Sequence, residues 1–147
     1  SIRPERLSYE YIKETMEFTV NLPSINMTKA VDYCGVRPGR KFDKIKDMNF
    51  TMREGTNVGV SYIDECPVSI ECKVKEIKEL GSHHMFIADV TAVHADDKYM
   101  DANNSFHLND SNLLAYSHGA YFELGRQLGT FGYSVRKKKT DRKKKHK

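Results

Sequence analysis

Between Glu65 and Ala95 the chain spells two long strands folded back on one tight turn, and few folds can hold such a hairpin. Val68, Ile70, Cys72 and Val74 alternate with Ser69, Glu71, Lys73 and Lys75, the period of a strand with one buried face. Gly81-Ser82 supplies the turn, because glycine takes the positive φ that a two-residue hairpin loop needs at its first central position. The returning strand, from His84 to Ala95, is apolar on both faces: Phe86, Ala88, Val90 and Ala92 against Met85, Ile87 and Val93. A strand buried on both sides belongs in a closed barrel or at an interface, not in an open one-faced sheet.

The flanking segments support a mainly β chain with short peripheral helices. Ser8 is placed to cap a first helix with Tyr9, Ile12 and Met16 as its buried stripe. The alternating run Phe18-Thr19-Val20-Asn21-Leu22 follows as a strand, stopped by Pro23. Asn26 caps a second short helix, Met27 to Tyr33, closed by Gly35. Residues 36–48 are basic and irregular, with a turn at Pro38-Gly39 and a short helical turn through Phe42 and Ile45. Further strands are expected at 49–53 and 58–63, a polar loop at 96–112, a short helix at 120–128 and an extended segment at 131–135. These strands suit a small barrel, but they are few for closing one, which leaves an edge open.

The chain of 147 residues reads as one domain, residues 1–135, followed by a basic tail, residues 136–147. The formal charge of +4 misleads, because the tail alone holds nine Lys or Arg against one Asp and residues 1–135 are net acidic. That tail has no apolar residue with which to fold and no aromatics to stack on bases, so no specific nucleic-acid partner is expected. No window is long and apolar enough for a bilayer, and the first residues show no signal-peptide pattern. Cys66 and Cys72 are six apart on one strand, roughly 20 Å at the strand rise, too far for a mutual disulfide. Small buried thiols in a reducing cytoplasm are expected.

Three places could carry chemistry. Arg3-x-x-Arg6-x-Ser8-Tyr9 reads either as an ordinary helix start with two solvated arginines or as a phosphate seat, where a helix N-terminus, a hydroxyl and guanidiniums converge. Asn26 and Thr28 at the second helix start, with the loop carrying Arg40 and Lys44, could close over an anion or remain a hydrated surface. At the hairpin tip, His83 and His84 are adjacent strand residues, so one imidazole at most faces a given pocket; a zinc site is disfavoured. No P-loop, no Gly-x-Gly-x-x-Gly and no Gly-x-Ser-x-Gly context occurs, which leaves covalent catalysis and a catalytic triad without support.

In order, Arg3-Pro4-Glu5-Arg6-x-Ser8-Tyr9, Glu17-Phe18-Thr19-Val20-Asn21-Leu22-Pro23, Cys34-Gly35 with Gly39-Arg40 and Asp43-Lys44, Glu65-Cys66-Pro67-Val68 with Glu71-Cys72-Lys73-Val74, Gly81-Ser82-His83 and Leu128-Gly129-x-Phe131-Gly132 resemble the flavin reductase-like, or flavoredoxin, family. The resemblance runs from residue 1 to about residue 136. It implies a split β-barrel of Greek-key type that binds FMN non-covalently, usually as a homodimer, and reduces flavin with NADH or NADPH or passes electrons to a redox partner. By family position, Arg6, Ser8 and Tyr9 lie where the FMN phosphate and ribityl chain are held. Asn26, Thr28, Arg40 and Lys44 are further candidates for that pocket, and His83 lies near the flavin or nicotinamide. The chain departs from the family at its start: members carry roughly fifty further residues before the Arg-Pro-Glu-Arg segment. They supply the first barrel strands and contacts to the flavin ring. Pro38 also stands where relatives have a small polar residue, stiffening the loop and removing an N–H donor. Two alternatives stay open beside the reductase: an electron carrier without a nicotinamide site, and a flavin-free dimerising remnant.

Overall fold

The computed structural model describes residues 1–136, so the expected basic tail falls, but for Arg136, outside the described residues. In chain order come α1 (Leu7–Thr15), β1 (Glu17–Leu22), a 3-10 turn (Ile25–Met27), α2 (Thr28–Val36) and α3 (Lys44–Asp47). They are followed by β2 (Met52–Arg53), β3 (Tyr62–Ile63), β4 (Val68–Leu80), β5 (His83–Ala95), β6 (Leu114–Ser117) and β7 (Ala120–Glu123). The hairpin expected from sequence is the spine: β4 and β5 are 13 residues each and antiparallel, with Leu80 opposite His83 and Gly81 at φ +72° in the turn. β1 adds on the other side of β4, so the sheet order is β1-β4-β5 and β5 is an edge within it.

Register sorts the side chains into two faces. Phe18–Cys72–Val90, Val20–Ile70–Val93 and Leu22–Val68–Ala95 form the rows of the apolar face. Thr19–Glu71–Ala92 and Asn21–Ser69–His94 form rows of the other. Two register shifts, at Glu71/Cys72 and Val74/Glu76, break simple alternation. The first brings Val90 and Val93, three residues apart, onto one face, a pairing that the uninterrupted alternation of the sequence did not give. α1 packs at the turn end of the apolar face, where Tyr9 meets Phe86 edge-on at 5.6 Å and His84 at 5.2 Å. A left-handed Met16 (φ 56°) ends the helix and turns the chain straight into β1, with Met16 O accepting from Val74 N at 2.8 Å.

The polar face is not a solvent face. Ser69 and Glu71, read from sequence as outward, are 1% and 0% exposed, because the segment between β2 and β3 lies over them. This segment is held by side chains of the sheet. Glu71 accepts from Thr56 N at 2.6 Å and Asn57 N at 2.7 Å, and Glu17 from Gly59 N at 2.6 Å. Asn21 accepts from Ile63 N at 2.9 Å, and Thr19 donates to Ser61 O at 2.9 Å. Carboxylate and amide oxygens thus do for this backbone what a neighbouring strand would do. The buried apolar residues Tyr9, Val58, Cys66, Val68 and Cys72 belong to this sheet and its covers. All three cysteines are free, as expected, and burial pushes the Cys66 thiol up to about 11, which keeps it inert.

Other expectations need correction. The strands expected at 49–53 and 58–63 shrink to the two-residue pair β2 and β3, since side-chain bonds to the sheet replace ladder bonds along most of 54–61. The helix expected at 120–128 is instead β7 of a hairpin with β6; His118 (φ 50°) and Gly119 (φ 83°) make the left-handed two-residue turn that fixes it. This hairpin is tied to the body through Leu114 N to Pro23 O at 3.0 Å and Tyr121 Oη to Asp32 at 3.1 Å. Residues 131–135, expected to be extended, form a turn closed by a 3-10 helix at Tyr133–Val135. α2 runs on through Gly35, which sits inside its last turn and not beyond it.

Candidate functional site

The start of α1 faces the loop between α2 and α3 across a cleft of about 950 Å³. Pro4 and a turn in which Arg6 N donates to Arg3 O at 3.0 Å start the helix two residues earlier than expected. Arg6 is therefore the N-cap residue, and Ser8 is an exposed residue of the first turn whose side chain makes no cap bond. Neither side chain takes up the free N–H groups of this first turn, so the end stays open to an acceptor. Opposite, the Pro38 carbonyl accepts from Lys41 N at 3.0 Å and from Phe42 N at 3.2 Å, folding the loop back. Gly39 brings it close to α1: an added Cβ there would come within 3.2 Å of Leu7 Cδ2.

The cleft collects Arg6, Ser8, Arg40 and Lys44 from segments some thirty residues apart in the chain, with Arg37 and Lys41 beside them. Residues 36–48 carry five Lys or Arg against two Asp, on a domain otherwise net acidic. Two of the cations are occupied: Arg40 pairs with Glu10, and Lys44 Nζ donates to Cys34 O at 2.5 Å. Arg37 stacks its guanidinium on Phe42 at 4.8 Å and on Tyr33 at 5.8 Å. Arg6, Arg37 and Lys41 have no carboxylate partner among the described residues. A hydroxyl, open helix N–H groups and unpaired cations facing one space make a donor set suited to a phosphate. Burial pushes the nearby Cys34 thiol up, against a smaller opposite pull from Lys44.

The other sequence candidates lie elsewhere. Tyr9 is buried behind the cleft, its hydroxyl 2.9 Å from His84 Nδ1. Asn26 is exposed within the 3-10 turn and does not cap α2, whose N-cap is Met27; Thr28 Oγ1 donates to Ile25 O at 2.5 Å. His83 is exposed at the hairpin tip, with Ser82 Oγ 3.0 Å from its Nδ1, whereas its neighbour His84 turns inward. The geometry also singles out Arg37, which the sequence showed only as one cation in a basic run. A partner five residues on, Phe42, was the available signal.

A second, smaller cleft of about 340 Å³ opens on the other face beside Tyr62, Ser69 and His94. His94 stacks on Tyr62 at 4.3 Å and its Nε2 lies 2.5 Å from Glu71. Burial pushes the Glu71 carboxyl up, but hydrogen bonds from His94, Thr56 N and Asn57 N outweigh it and hold it down at about 2. This dyad is part of the fastening of the 54–61 segment.

A family model described as flavin reductase-like domain matches residues 1–125. An uncharacterized protein of Archaeoglobus fulgidus is 33% identical over 101 residues, which is 69% of this chain and 57% of that protein. The flavoredoxin of Desulfovibrio vulgaris (Miyazaki F) superposes with a TM-score of 0.84 at 25% identity, over 92% of this chain and 74% of its own. The flavoredoxin from Methanosarcina acetivorans gives 0.79 at 26% identity, over the same shares of 92% and 74%. The shared architecture is the mainly β split barrel with short helices that the sequence led us to expect. The chain spans about half the length of the curated relatives it matches, 57% and 52% for the first two. No helix among the described residues is long and apolar enough to cross a membrane.

Proposed function

This chain belongs to the flavin reductase-like family, and we propose that it is a flavin-dependent oxidoreductase module whose cleft holds the phosphate of FMN. The observation that carries the proposal is the convergence of Arg6 and Ser8 with Arg37, Arg40, Lys41 and Lys44 on one cleft. Arg6 and Ser8 hold the phosphate at the open end of α1, and Lys41 and Arg37 balance its charge from the opposite wall. Tyr9, bonded to His84, fixes the helix start against the sheet. Asn26, Thr28 and His83 keep a place in the proposal only for parts of the ligand beyond this cleft. When bound, FMN supplies the electron-transfer chemistry; the protein binds and orients it.

The finer reading is a reductase that takes electrons from NADH or NADPH, in a cytoplasmic homodimer. The second reading, an electron carrier serving a redox protein, is favoured by the flavoredoxin likeness at 25% and 26% identity. A purified chain that binds FMN turns yellow and releases free FMN on denaturation; a colourless chain that takes up no added FMN overturns both readings. Anaerobic bleaching by NADH or NADPH then marks the reductase, and its absence marks the carrier.

The phosphate assignment has its own test. Arg6→Ala with Ser8→Ala removes two donors to an anion, and charge-assisted bonds of about 1.5–3 kcal/mol each predict a loss of FMN affinity of about 100-fold or more. Riboflavin, which lacks the phosphate, is expected to lose less than about threefold. Equal losses in the two titrations refute the assignment.

A further inference from the structure

One ion pair joins the two walls of the cleft. Glu10, in the first turn of α1, engages Arg40 Nη2 from the loop between α2 and α3. Among the described residues no other ion pair links these two segments. Arg40 lines the cleft and Glu10 does not, so the pair sits at the rim. The walls do not need it to stay together. Gly39 packs beside Leu7, and the Pro38 carbonyl accepts from Lys41 N at 3.0 Å and from Phe42 N at 3.2 Å. Lys44 Nζ ties the far end of the loop to Cys34 O at 2.5 Å.

We propose that the Arg40–Glu10 pair is an exchangeable strap: a phosphate entering the cleft takes Arg40 from Glu10, and Glu10 thereby sets how tightly the cleft binds its anion. This exchange rests on the reading of the cleft as a phosphate seat, but not on flavin as the bearer of the phosphate.

Three observations favour exchange over a fixed structural pair. Both side chains are half exposed, at 54% and 50%, and such a pair is worth at most about fivefold in an equilibrium. Charge-assisted bonds to a phosphate exceed that, and the guanidinium fork suits two phosphate oxygens at once, whereas Glu10 engages Nη2. The carboxylates that do line the cleft are already engaged, Glu5 with Arg3 at 3.3 Å and Asp43 with Lys46 N at 3.2 Å. Glu10 is thus the carboxylate whose hold an incoming anion contests, and its own charge repels that anion. Only a long side chain has to swing, because Gly39 keeps the loop backbone against α1.

The test titrates inorganic phosphate and, in parallel, FMN, with the amide resonances of Ser8 and Gly39 marking binding in the cleft. Glu10→Gln is expected to tighten both ligands about 10-fold, about fivefold from the pair and about twofold from the lost repulsion at physiological salt. Arg40→Ala is expected to weaken both about 10-fold. In the Arg40→Ala chain, Glu10→Gln should then gain only about twofold, because no pair is left to break. Both residues are exposed, so these substitutions leave the fold intact, which circular dichroism checks. Weaker binding by Glu10→Gln would make Glu10 a post that holds Arg40 in position, and equal gains with and without Arg40 would reduce it to a distant charge. Either result overturns the exchange. So does a chain whose Ser8 and Gly39 resonances ignore phosphate at about 20 mM. A chain that binds phosphate with this dependence on Glu10 and Arg40 but takes up no FMN overturns the flavin reading and upholds the exchange.

Discussion

Glu71→Gln is expected to lower stability by about 2–4 kcal/mol, the scale for leaving buried polar groups unsatisfied. The carboxylate accepts from Thr56 N, Asn57 N and His94 Nε2 at 2.5–2.7 Å with no exposed surface. A glutamine keeps one oxygen and turns an NH₂ toward groups that are themselves donors, so at least one backbone N–H is orphaned. The change is read as a lower urea midpoint with an unchanged slope, together with faster amide exchange at Thr56 and Asn57. A loss below about 1 kcal/mol would show that water reaches the site and replaces the carboxylate. The acid dependence has a definite sign. The folded carboxyl sits at about 2, below its ordinary 4.5, so its contribution is complete above pH 4.5 and is lost as pH falls toward 2. Glu71→Gln should therefore flatten the stability profile in that window and leave its shape near neutrality unchanged.

That same residue shows where sequence was legible and where it was not. The hairpin of β4 and β5 could be read almost to the residue, because Gly81-Ser82 and the apolar runs are local signals. The inward role of Glu71 was not, because alternation marks opposite faces but not which of them is covered. A polar face fastened by side chains to a passing backbone looks in sequence like a solvated one. The bulges compound the problem by changing parity within β4 and β5. At residues 120–128 the composition favours a helix, but pairing across the His118-Gly119 turn overrode propensity for Ala120–Glu123.

The candidate site divides in the same way. Arg6, Ser8, Arg40 and Lys44 were legible as anion-binding types, and the structure brings them to one cleft. Their meeting depends on Gly39 lying against Leu7, a tertiary approach that no local pattern encodes. Ser8 was misplaced as a cap because Arg6 already turns into the helix from Arg3, so the hydroxyl is left free beside the cleft and not spent on the backbone.

Gly55→Ala is the second large effect, and it tests the fastening from the loop side. A Cβ at Gly55 would stand 2.6 Å from Val58 O, 2.8 Å from Val58 Cγ2 and 2.8 Å from Val60 O. Two of these three are backbone atoms, which cannot swing aside as a side-chain end can. The loop must open, at about 1–3 kcal/mol for overpacking, and opening it draws Thr56 N and Asn57 N away from Glu71. Gly35→Ala provides the contrast. It lies within α2 with nothing within 4 Å of its added Cβ, so it is expected to stabilise by about 0.5–1 kcal/mol through helix propensity. Measured by chemical denaturation, the two glycines should therefore change stability in opposite directions. Because Gly55 and Glu71 act on one set of hydrogen bonds, the Gly55→Ala/Glu71→Gln double variant should lose less than the sum of the single losses, by about 1 kcal/mol or more. Additive losses would mean that the tight turn at Gly55 and the carboxylate hold the segment independently. The 54–61 segment would then be fastened twice, and not by one buried carboxylate that the turn delivers it to.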